Sequence, residues 1–221
     1  MSIESRKEEL RRHPILALEW ALGKVGPGAW RGIFWWLRSG GRWDAPVFVD
    51  AGVRILFLRK LHLGKFCSLG RFGYLNALSS QGVTFGRSVS IGERFWIQGS
   101  SQLSDLGISL SIEDNVYIGP GAVLGFHGPV TIGRGCAIGA NFQIAAQNHD
   151  LSRKQGIGGS VIPSKGIRIG RECWIGNDVK VTDGVEIGDF VAIGAGAVVT
   201  RSLPSGVVAA GVPARVLRQR E

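Results

Sequence analysis

The sequence lacks the features that carry a chain into or across a membrane. It contains no apolar run of about 18 residues, the length that a membrane-spanning helix needs. The first residues, MSIESRKEELRRH, are charged, whereas a secretory signal peptide has an apolar core and a small-residue cleavage site. The chain has three cysteines, an odd number that does not suit a disulfide framework. We therefore expect a cytoplasmic protein with reduced thiols.

Acidic residues are also in short supply. The chain holds 26 Lys and Arg against 17 Asp and Glu, a net charge of +9, yet it has no dense basic block. A dispersed positive charge favours an anionic partner such as a phosphate group or a lipid surface. No nucleic-acid recognition motif accompanies it, so we expect no nucleic-acid partner.

Glycine, by contrast, is abundant and regularly spaced. It provides 34 of the 221 residues, about twice the usual share of ~7%. Aliphatic or aromatic residues recur at every sixth position in six sets of three: Leu63, Leu69, Leu75; Phe85, Ile91, Ile97; Ile112, Ile118, Leu124; Ile132, Ile138, Ile144; Ile169, Ile175, Val181; Ile187, Ile193, Val199. Six residues fit one short strand and a tight turn, and such coils stack about 4.8 Å apart. The period predicts an all-β solenoid of about six triangular coils.

A second inward-facing position is predicted four residues after each of these residues. On two faces it holds small or apolar residues: Cys67, Val89, Val116, Cys136, Cys173, Val191; and Gly73, Phe95, Ala122, Phe142, Val179, Ala197. All three cysteines fall in the first group. We therefore predict that they pack as small core residues, because a nucleophilic cysteine needs an exposed, electropositive setting.

The six-residue period is interrupted in places. Extra residues separate Ile97 from Ile112 and Leu124 from Ile132, and the longest interruption follows Ile144. A solenoid accommodates insertions as loops at its corners, and such loops often carry function. We assign residues 51–203 to the solenoid, with a projecting loop at 149–165, and residues 204–221 to a basic C-terminal cap.

Residues 1–50 form an N-terminal extension without the period. ESRKEELRR and PILALEWAL are typical of helices, and GPG at 26–28 predicts a break. Five tryptophans lie here among arginines: Trp20, Trp30, Trp35, Trp36 and Trp43. Two interpretations stay open: the segment caps the first coil, or residues 10–43 contact an anionic membrane surface peripherally, on its inner face.

The stretch IRIGRECWIGNDVKVTDGVEIGDFVAIGAGAVVTRSLPSGVVAAGVPARVL, residues 167–217, resembles the hexapeptide-repeat acyltransferases. Its WIGN, GVEIG, IGAGAVVT and AAGVPAR elements follow the order and spacing of the galactoside, maltose and polysaccharide O-acetyltransferase branch. The resemblance covers about residues 60–218. It implies a left-handed parallel β-helix, a homotrimer with active sites between chains, acetyl-CoA as cosubstrate and a sugar or glycan hydroxyl as acceptor.

The same resemblance assigns site residues. His149, in QNHD, stands where the family has its catalytic histidine, which takes the proton of the acceptor hydroxyl. Trp174 matches a tryptophan beside the family's active site. Asn148 falls at an inward position next to His149, and Asp150 either orients His149 or faces water.

For the cofactor, the resemblance implies contacts from six positions. They are Asn177, Ala195, Thr200, Arg201, Arg215 and Arg218. Arginine can offer two donors to one phosphate. One departure is RSLP at 201–204, where the family more often has Lys-Asp-aliphatic-Pro; the basic group is kept.

Other readings are open. His127 precedes His149 near the corresponding corner, where it either lines the cleft or, as we expect, occupies an exposed turn position. Carbonic anhydrases of this fold class bind a metal with three histidines, but His13 and His62 do not occupy matching repeat positions, so we expect no metal. An N-acetyltransferase of a nucleotide-linked amino sugar and a non-catalytic scaffold are the alternative functions.

Overall fold

Short parallel strands form three sheets that make the sides of a triangular solenoid. The computed structural model describes residues 26–100, 103–149, 161–162 and 164–221. In that part of the chain nine strands form sheet A, seven form sheet B and six form sheet C. The chain passes through A, B and C in turn, and each circuit is one coil.

The strands on each side are brief, as a six-residue period requires. Sheet A contains β1 (Phe48–Val49), β4 (Ser68–Leu69), β7 (Ser90–Ile91), β10 (Tyr117–Ile118), β13 (Ala137–Ile138), β18 (Trp174–Ile175), β21 (Ala192–Ile193), β23 (Val207–Ala210) and β24 (Arg215–Gln219). Sheet B contains β2 (Arg54–Leu56), β5 (Tyr74–Asn76), β8 (Trp96–Gln98), β11 (Val123–Gly125), β14 (Gln143–Ala145), β19 (Lys180–Thr182) and β22 (Val198–Val199). Sheet C contains β3 (Leu61–Leu63), β6 (Ser79–Phe85), β9 (Gly107–Ile112), β12 (Val130–Ile132), β17 (Ile167–Ile169) and β20 (Glu186–Ile187). A 3-10 turn, Leu58–Lys60, precedes β3.

The predicted inward residues form three columns, one behind each sheet. Strand register aligns one column from Leu63 to Ile187, one from Leu69 to Ile193 and one from Leu75 to Val199. Every residue of the six predicted sets is at most 2% exposed. Burial of such a side chain contributes about 1.5–3 kcal/mol. The solenoid prediction is confirmed, and its core is these columns.

Glycine at the corners permits the close approach of successive coils. In the turn after β4, a Cβ added to Gly70 would lie only 2.5 Å from the backbone nitrogen of Glu93 in the next coil. Any larger residue would therefore push two coils apart at this corner. This steric requirement explains why an aliphatic residue followed by glycine recurs along the sequence.

The stacking extends beyond the predicted sets at both ends. The strands β1 and β2 pair with β4 and β5, so parallel pairing starts at Phe48. At the other end β23 continues sheet A, and β24 turns back antiparallel along it. The Nη1 group of Arg220 then donates to the carbonyl oxygens of Glu172 and Phe190, which ties the C-terminal segment to two coils.

The helix α1 (Gly26–Arg38) covers the first coil. Its Gly32 lies so close to the Val47 carbonyl that a Cβ would collide with that oxygen. After the helix, Trp43 is 2% exposed and its Nε1 donates to the Leu61 carbonyl oxygen at 2.9 Å. The predicted break at residues 26–28 is wrong, because GPG forms the first turn of α1, where proline is tolerated. The two helices predicted before it lie outside the described residues.

The three cysteines are buried at the predicted inward positions of sheet A. The Sγ atoms of Cys67, Cys136 and Cys173 donate to the backbone carbonyl oxygens of Gly86, Gly170 and Gly188 in the next coil. Burial raises the pKa of the Cys67 thiol to about 11. The hydrogen bond with Cys173, together with burial, raises the pKa of Cys136. These residues are core thiols, as predicted.

Among the described residues, no helix is both long and apolar enough to cross a membrane.

Removal of the buried tryptophan side chain should weaken the N-terminal end. We expect Trp43→Ala to lower the free energy of unfolding by about 3–5 kcal/mol, the usual cost of emptying a buried aromatic site. Trp30→Ala is the matched control: Trp30 is 77% exposed, so its change should stay within about 0.5 kcal/mol. Chemical denaturation at one protein concentration measures both. Equal losses would contradict the burial of Trp43.

The thiols should resist modification in the native protein. We expect an aromatic disulfide reagent at pH 8 to leave all three cysteines unreacted, because each thiol is buried and donates to a carbonyl, whereas the thiolate is the reactive form. In denaturant all three should react. The variant Ser104→Cys, at an exposed position, controls for reagent activity and should react at once. Rapid labelling of the unmodified native chain would contradict the prediction.

Candidate functional site

The insertions all leave the solenoid along one edge, between sheets B and C. We call this line of turns the B–C edge. Between sheet B and sheet C the chain inserts extra residues after Asn76, Gln98, Gly125 and Ala145, which lead into β6, β9, β12 and β17. The other two edges are regular, and the core columns run past all three without interruption. The inserted segments therefore all lie on a single edge of the solenoid.

A glycine pattern in the sequence distinguishes this edge from the others. Within the six predicted sets, glycine follows the inward residue at all six turns from sheet A to sheet B, and at five of the six turns from C to A. At the B–C edge the same position instead holds Asn76, Gln98, Gly125, Ala145, Thr182 and Thr200. Coils thus approach closely on two edges, while the third carries side chains. The spacing of the inward residues alone does not carry this signal.

The longest insertion begins with a change in strand direction. The strand β15 (Asn148–His149) pairs antiparallel with β16 (Val161–Ile162), and His149 lies opposite Val161. Parallel stacking stops at Ala145 and resumes at Ile167. Asp150 and the side chains of Asn148 and His149 lie outside the described residues. The predicted position of His149 thus coincides with the point where the backbone leaves the solenoid.

His127 lies one coil before this hairpin. The amide of Gly128, the next residue, donates to the Ala146 carbonyl oxygen at 2.9 Å. The His127 side chain is only 14% exposed, and its Nε2 lies 3.0 Å from Oδ1 of Asp105. An exposed turn position was expected for this histidine, and that expectation is wrong. The insertion of the preceding coil, which carries Asp105, covers the ring.

Three of the predicted cofactor residues meet at the edge between sheets A and B. Asn177 and Ala195 occupy the turns after β18 and β21 in successive coils, and both are exposed. Arg215 starts β24, opposite Ala210. Oδ1 of Asn177 accepts a hydrogen bond of 2.8 Å from the Ala140 amide. This carbonyl oxygen is therefore engaged in the turn of the preceding coil.

Thr200 and Arg201 lie apart from that group, on the B–C edge. Both are exposed and follow β22. In the column behind sheet B, Val199 stacks on Val181 and Val181 on Ile144. Thr200 and Arg201 are thus two coils beyond the start of the hairpin, or roughly 10 Å at the usual strand spacing.

The outer surface of sheet B connects the two groups. Gln143, Lys180 and Val198 are aligned in register there, and Lys180 is exposed. Lys180 was not selected from the sequence, although its outward position on a strand between two predicted cofactor turns could have indicated it. Its ammonium group adds a positive charge to this surface.

Trp174 and Arg218 lie on a different face. Trp174 is 51% exposed on sheet A, between Ala137 and Ala192 of the adjacent strands. Arg218 is on β24 of the same sheet, opposite Val208. In a triangular solenoid sheet A is opposite the B–C edge. Within one chain, the structure therefore does not bring Trp174 and the His149 hairpin together.

The described residues contain no group of three or more His, Cys, Asp or Glu side chains arranged to hold a metal ion.

Comparisons with known proteins agree with this architecture. A family model described as "Bacterial transferase hexapeptide (six repeats)" matches residues 166–201, and one described as "Hexapeptide repeat of succinyl-transferase" matches residues 109–146. The N-acyltransferase AntD from Bacillus cereus, solved with dTDP and 3-hydroxybutyryl-CoA, has a similar fold. The TM-score is 0.58 at 17% identity, over 79% of this chain and 80% of that one.

Two Escherichia coli K12 proteins are more similar in sequence. Galactoside O-acetyltransferase is 35% identical over 130 residues, 59% of this chain and 63% of that protein. WbbJ, a candidate lipopolysaccharide biosynthesis O-acetyl transferase, is 30% identical over 141 residues, 60% of this chain and 72% of that protein. The chain thus spans less than two thirds of the first relative. With its three-sided parallel sheets, it is a left-handed parallel β-helix that belongs to the hexapeptide-repeat acyltransferase family.

Proposed function

We propose that the protein is an acetyl-CoA-dependent O-acetyltransferase that modifies a sugar hydroxyl of a surface polysaccharide or its precursor. The observation that carries the proposal is the position of His149, where the backbone leaves the solenoid on the edge that also holds Thr200 and Arg201. The proteins similar in sequence are named as O-acetyltransferases of galactosides and of lipopolysaccharide biosynthesis. The three free, buried thiols fit a cytoplasmic enzyme.

His149 acts as the general base. A sugar hydroxyl is a weak acid, so its proton must be removed as the oxygen attacks, and imidazole titrates near neutral pH. The hydroxyl oxygen forms a bond to the thioester carbonyl carbon while its proton moves to the imidazole. The C–S bond then breaks, the acetyl group stays on the sugar oxygen, and the departing thiolate takes the proton from the imidazolium, which restores the neutral base. A positioned base of this kind contributes about 10²–10⁴-fold.

Acetyl-CoA would lie along the outer surface of sheet B. Asn177, Ala195 and Arg215 would contact it at the A–B edge, and Thr200 and Arg201 at the B–C edge. Because Oδ1 of Asn177 already accepts from Ala140, its NH2 group is the part available to the cofactor. Arg215 is an exposed residue whose Nη1 donates to the Ala214 carbonyl oxygen at 2.9 Å. Its remaining N–H groups suit a phosphate, which a guanidinium can meet with two donors. Lys180 adds a further cation between the two groups.

Trp174 and the His149 hairpin lie on opposite sides of the solenoid, which favours an active site formed by two neighbouring chains. Trp174 projects from sheet A, and the hairpin leaves the B–C edge. A homotrimer with sites between neighbours would bring Trp174 of one chain toward the hairpin of the next. Arg218, also on sheet A, would reach the cofactor across the same contact.

N-acetylation of a nucleotide-linked amino sugar is the second candidate. It is suggested by AntD, an N-acyltransferase whose structure contains dTDP. AntD is only 17% identical, whereas the O-acetyltransferase relatives are 30–35% identical, so O-acetylation is preferred. A thiol-release screen over sugars, amino-sugar nucleotides and oligosaccharides with acetyl-CoA separates the two by acceptor.

The histidine assignment is tested by His149→Ala. We expect CoA release with the acceptor from that screen to fall by about 10²–10⁴-fold, because the base is lost, while CoA binding and oligomeric state persist. His62→Ala is the control, since His62 is a half-exposed histidine on β3, and it should keep full activity. Undiminished turnover in His149→Ala would instead support a scaffold without catalysis.

The cofactor assignment is tested at one edge of the solenoid. Arg215→Ala should raise the KM for acetyl-CoA about tenfold or more with a smaller effect on kcat, because it removes charged contacts made in the ground state. Arg71→Ala is the matched control: Arg71 is exposed on the same A–B edge, near the other end of the solenoid, and its KM should not change. A fall in kcat alone for Arg215→Ala would contradict the assignment.

A further inference from the structure

The helix α1 exposes a row of large apolar side chains on the side away from the solenoid. Trp30, Ile33, Phe34 and Leu37 are 77%, 50%, 54% and 64% exposed. Their spacing of three, four and seven residues places them on one face of a helix. We call these four residues the outer row of α1. Exposed apolar residues that form a continuous patch mark interaction surfaces more often than isolated ones do.

The opposite side of α1 is fixed, so the helix cannot turn to bury the outer row. Gly32 lies against the Val47 carbonyl with no room for a Cβ. Nε of Arg31 donates to the Val49 carbonyl oxygen at 3.0 Å, and Nε1 of Trp36 donates to the Trp43 carbonyl oxygen at 3.0 Å. Capping of the first coil accounts for these contacts. It does not account for the outer row.

The charge around the outer row has one sign. Residues 26–43 contain Arg31, Arg38 and Arg42 and no acidic residue. The guanidinium of Arg38 lies 5.9 Å from the ring centroid of Phe34, at the border of the row. Arg42 is exposed in the segment that follows the helix. An apolar row bordered by arginines is complementary to acyl chains beneath anionic headgroups.

We propose that the outer row of α1 docks the protein on an anionic lipid bilayer. Trp30, Ile33, Phe34 and Leu37 enter the boundary between headgroups and acyl chains, where tryptophan is favoured. Arg38 and Arg42 meet the lipid phosphates. Within residues 10–43, the inference specifies which four side chains enter the membrane and requires that the lipids be anionic. Membrane docking would bring the enzyme to an acceptor that is carried on a lipid, and to that extent the inference rests on the proposed function.

The test uses the full chain and vesicle flotation. We expect the protein to float with phosphatidylcholine vesicles containing about 30% phosphatidylglycerol, and less with phosphatidylcholine alone or at high salt. The double variant Ile33→Gln/Leu37→Gln should lower the partition coefficient at least tenfold, from the loss of two apolar contacts. Leu103→Gln/Leu106→Gln, two residues 77% and 36% exposed in the insertion before β9, is the matched control and should float normally.

A second measurement does not depend on that variant. Acyl chains brominated near the headgroup should quench the tryptophan emission of the wild-type protein, and Trp30→Phe should lose most of this quenching. Equal flotation of the outer-row variant and its control would overturn the proposal. Vesicle binding that appears only after removal of residues 1–25 would also overturn it, because those residues would then cover the row. So would a change of oligomeric state in the outer-row variant without vesicle binding by the wild type, because a second copy of the chain would then cover it.

Flotation requires no acyl transfer, so its outcome is separable from that of the catalytic tests. The outer-row variant should keep its turnover on a soluble acceptor. Vesicle binding without acetyl transfer would leave the docking surface valid and overturn the proposed function. Acetyl transfer without vesicle binding would support the proposed function and overturn the docking surface.

Discussion

The backbone hydrogen bonds between successive coils are the constraint on which the rest of the structure depends. Each coil donates to the next at almost the same place, as in Gly64 to Phe85 and Gly86 to Ile112, both at 2.8 Å. This ladder holds coils about 4.8 Å apart, and every coil must therefore follow nearly the same path. Glycine makes that path possible at two edges, where the coils come closest. An extra residue can leave only where the turns are less crowded, and this places all the insertions on the B–C edge.

The sequence was sufficient to predict the columns, because period and side-chain direction are linked: a residue six positions later lies on the next side of the triangle. The same link predicts the face of the solenoid on which Trp174 lies, because Trp174 directly precedes Ile175, an inward residue of sheet A. It could not predict the burial of His127, which depends on Asp105 in the insertion of another coil. Nor could it predict that α1 starts at Gly26, because glycine is a poor helix former and Gly32 is required by the close approach of the Val47 carbonyl oxygen.

The two ends of the solenoid are closed in different ways. At the start, α1 covers the first coil and Trp43 fills the space beneath it. At the finish, β24 reverses direction on sheet A, and Arg220 fixes it to the turns of two coils. An exposed strand edge invites pairing with another chain, and β24, whose residues are all exposed, is the strand that would meet such a neighbour. In the proposed trimer, sheet A, which also carries Trp174, would face another copy of the chain.

In the proposed function, the regular coils bind the cofactor and the irregular hairpin that begins at Asn148 contacts the acceptor. The groups assigned to the cofactor lie on turns whose separation is fixed by the coil spacing, so any change in one coil would disturb the ladder on both sides. The hairpin that begins at Asn148 is joined to the solenoid through two strands, and its length is not limited by the ladder. A chain of this design can change its loop without moving Asn177, Ala195 or Thr200. Under the proposed function, acceptor choice can therefore vary while the surface assigned to the cofactor stays constant, since only that surface is built into the repeat.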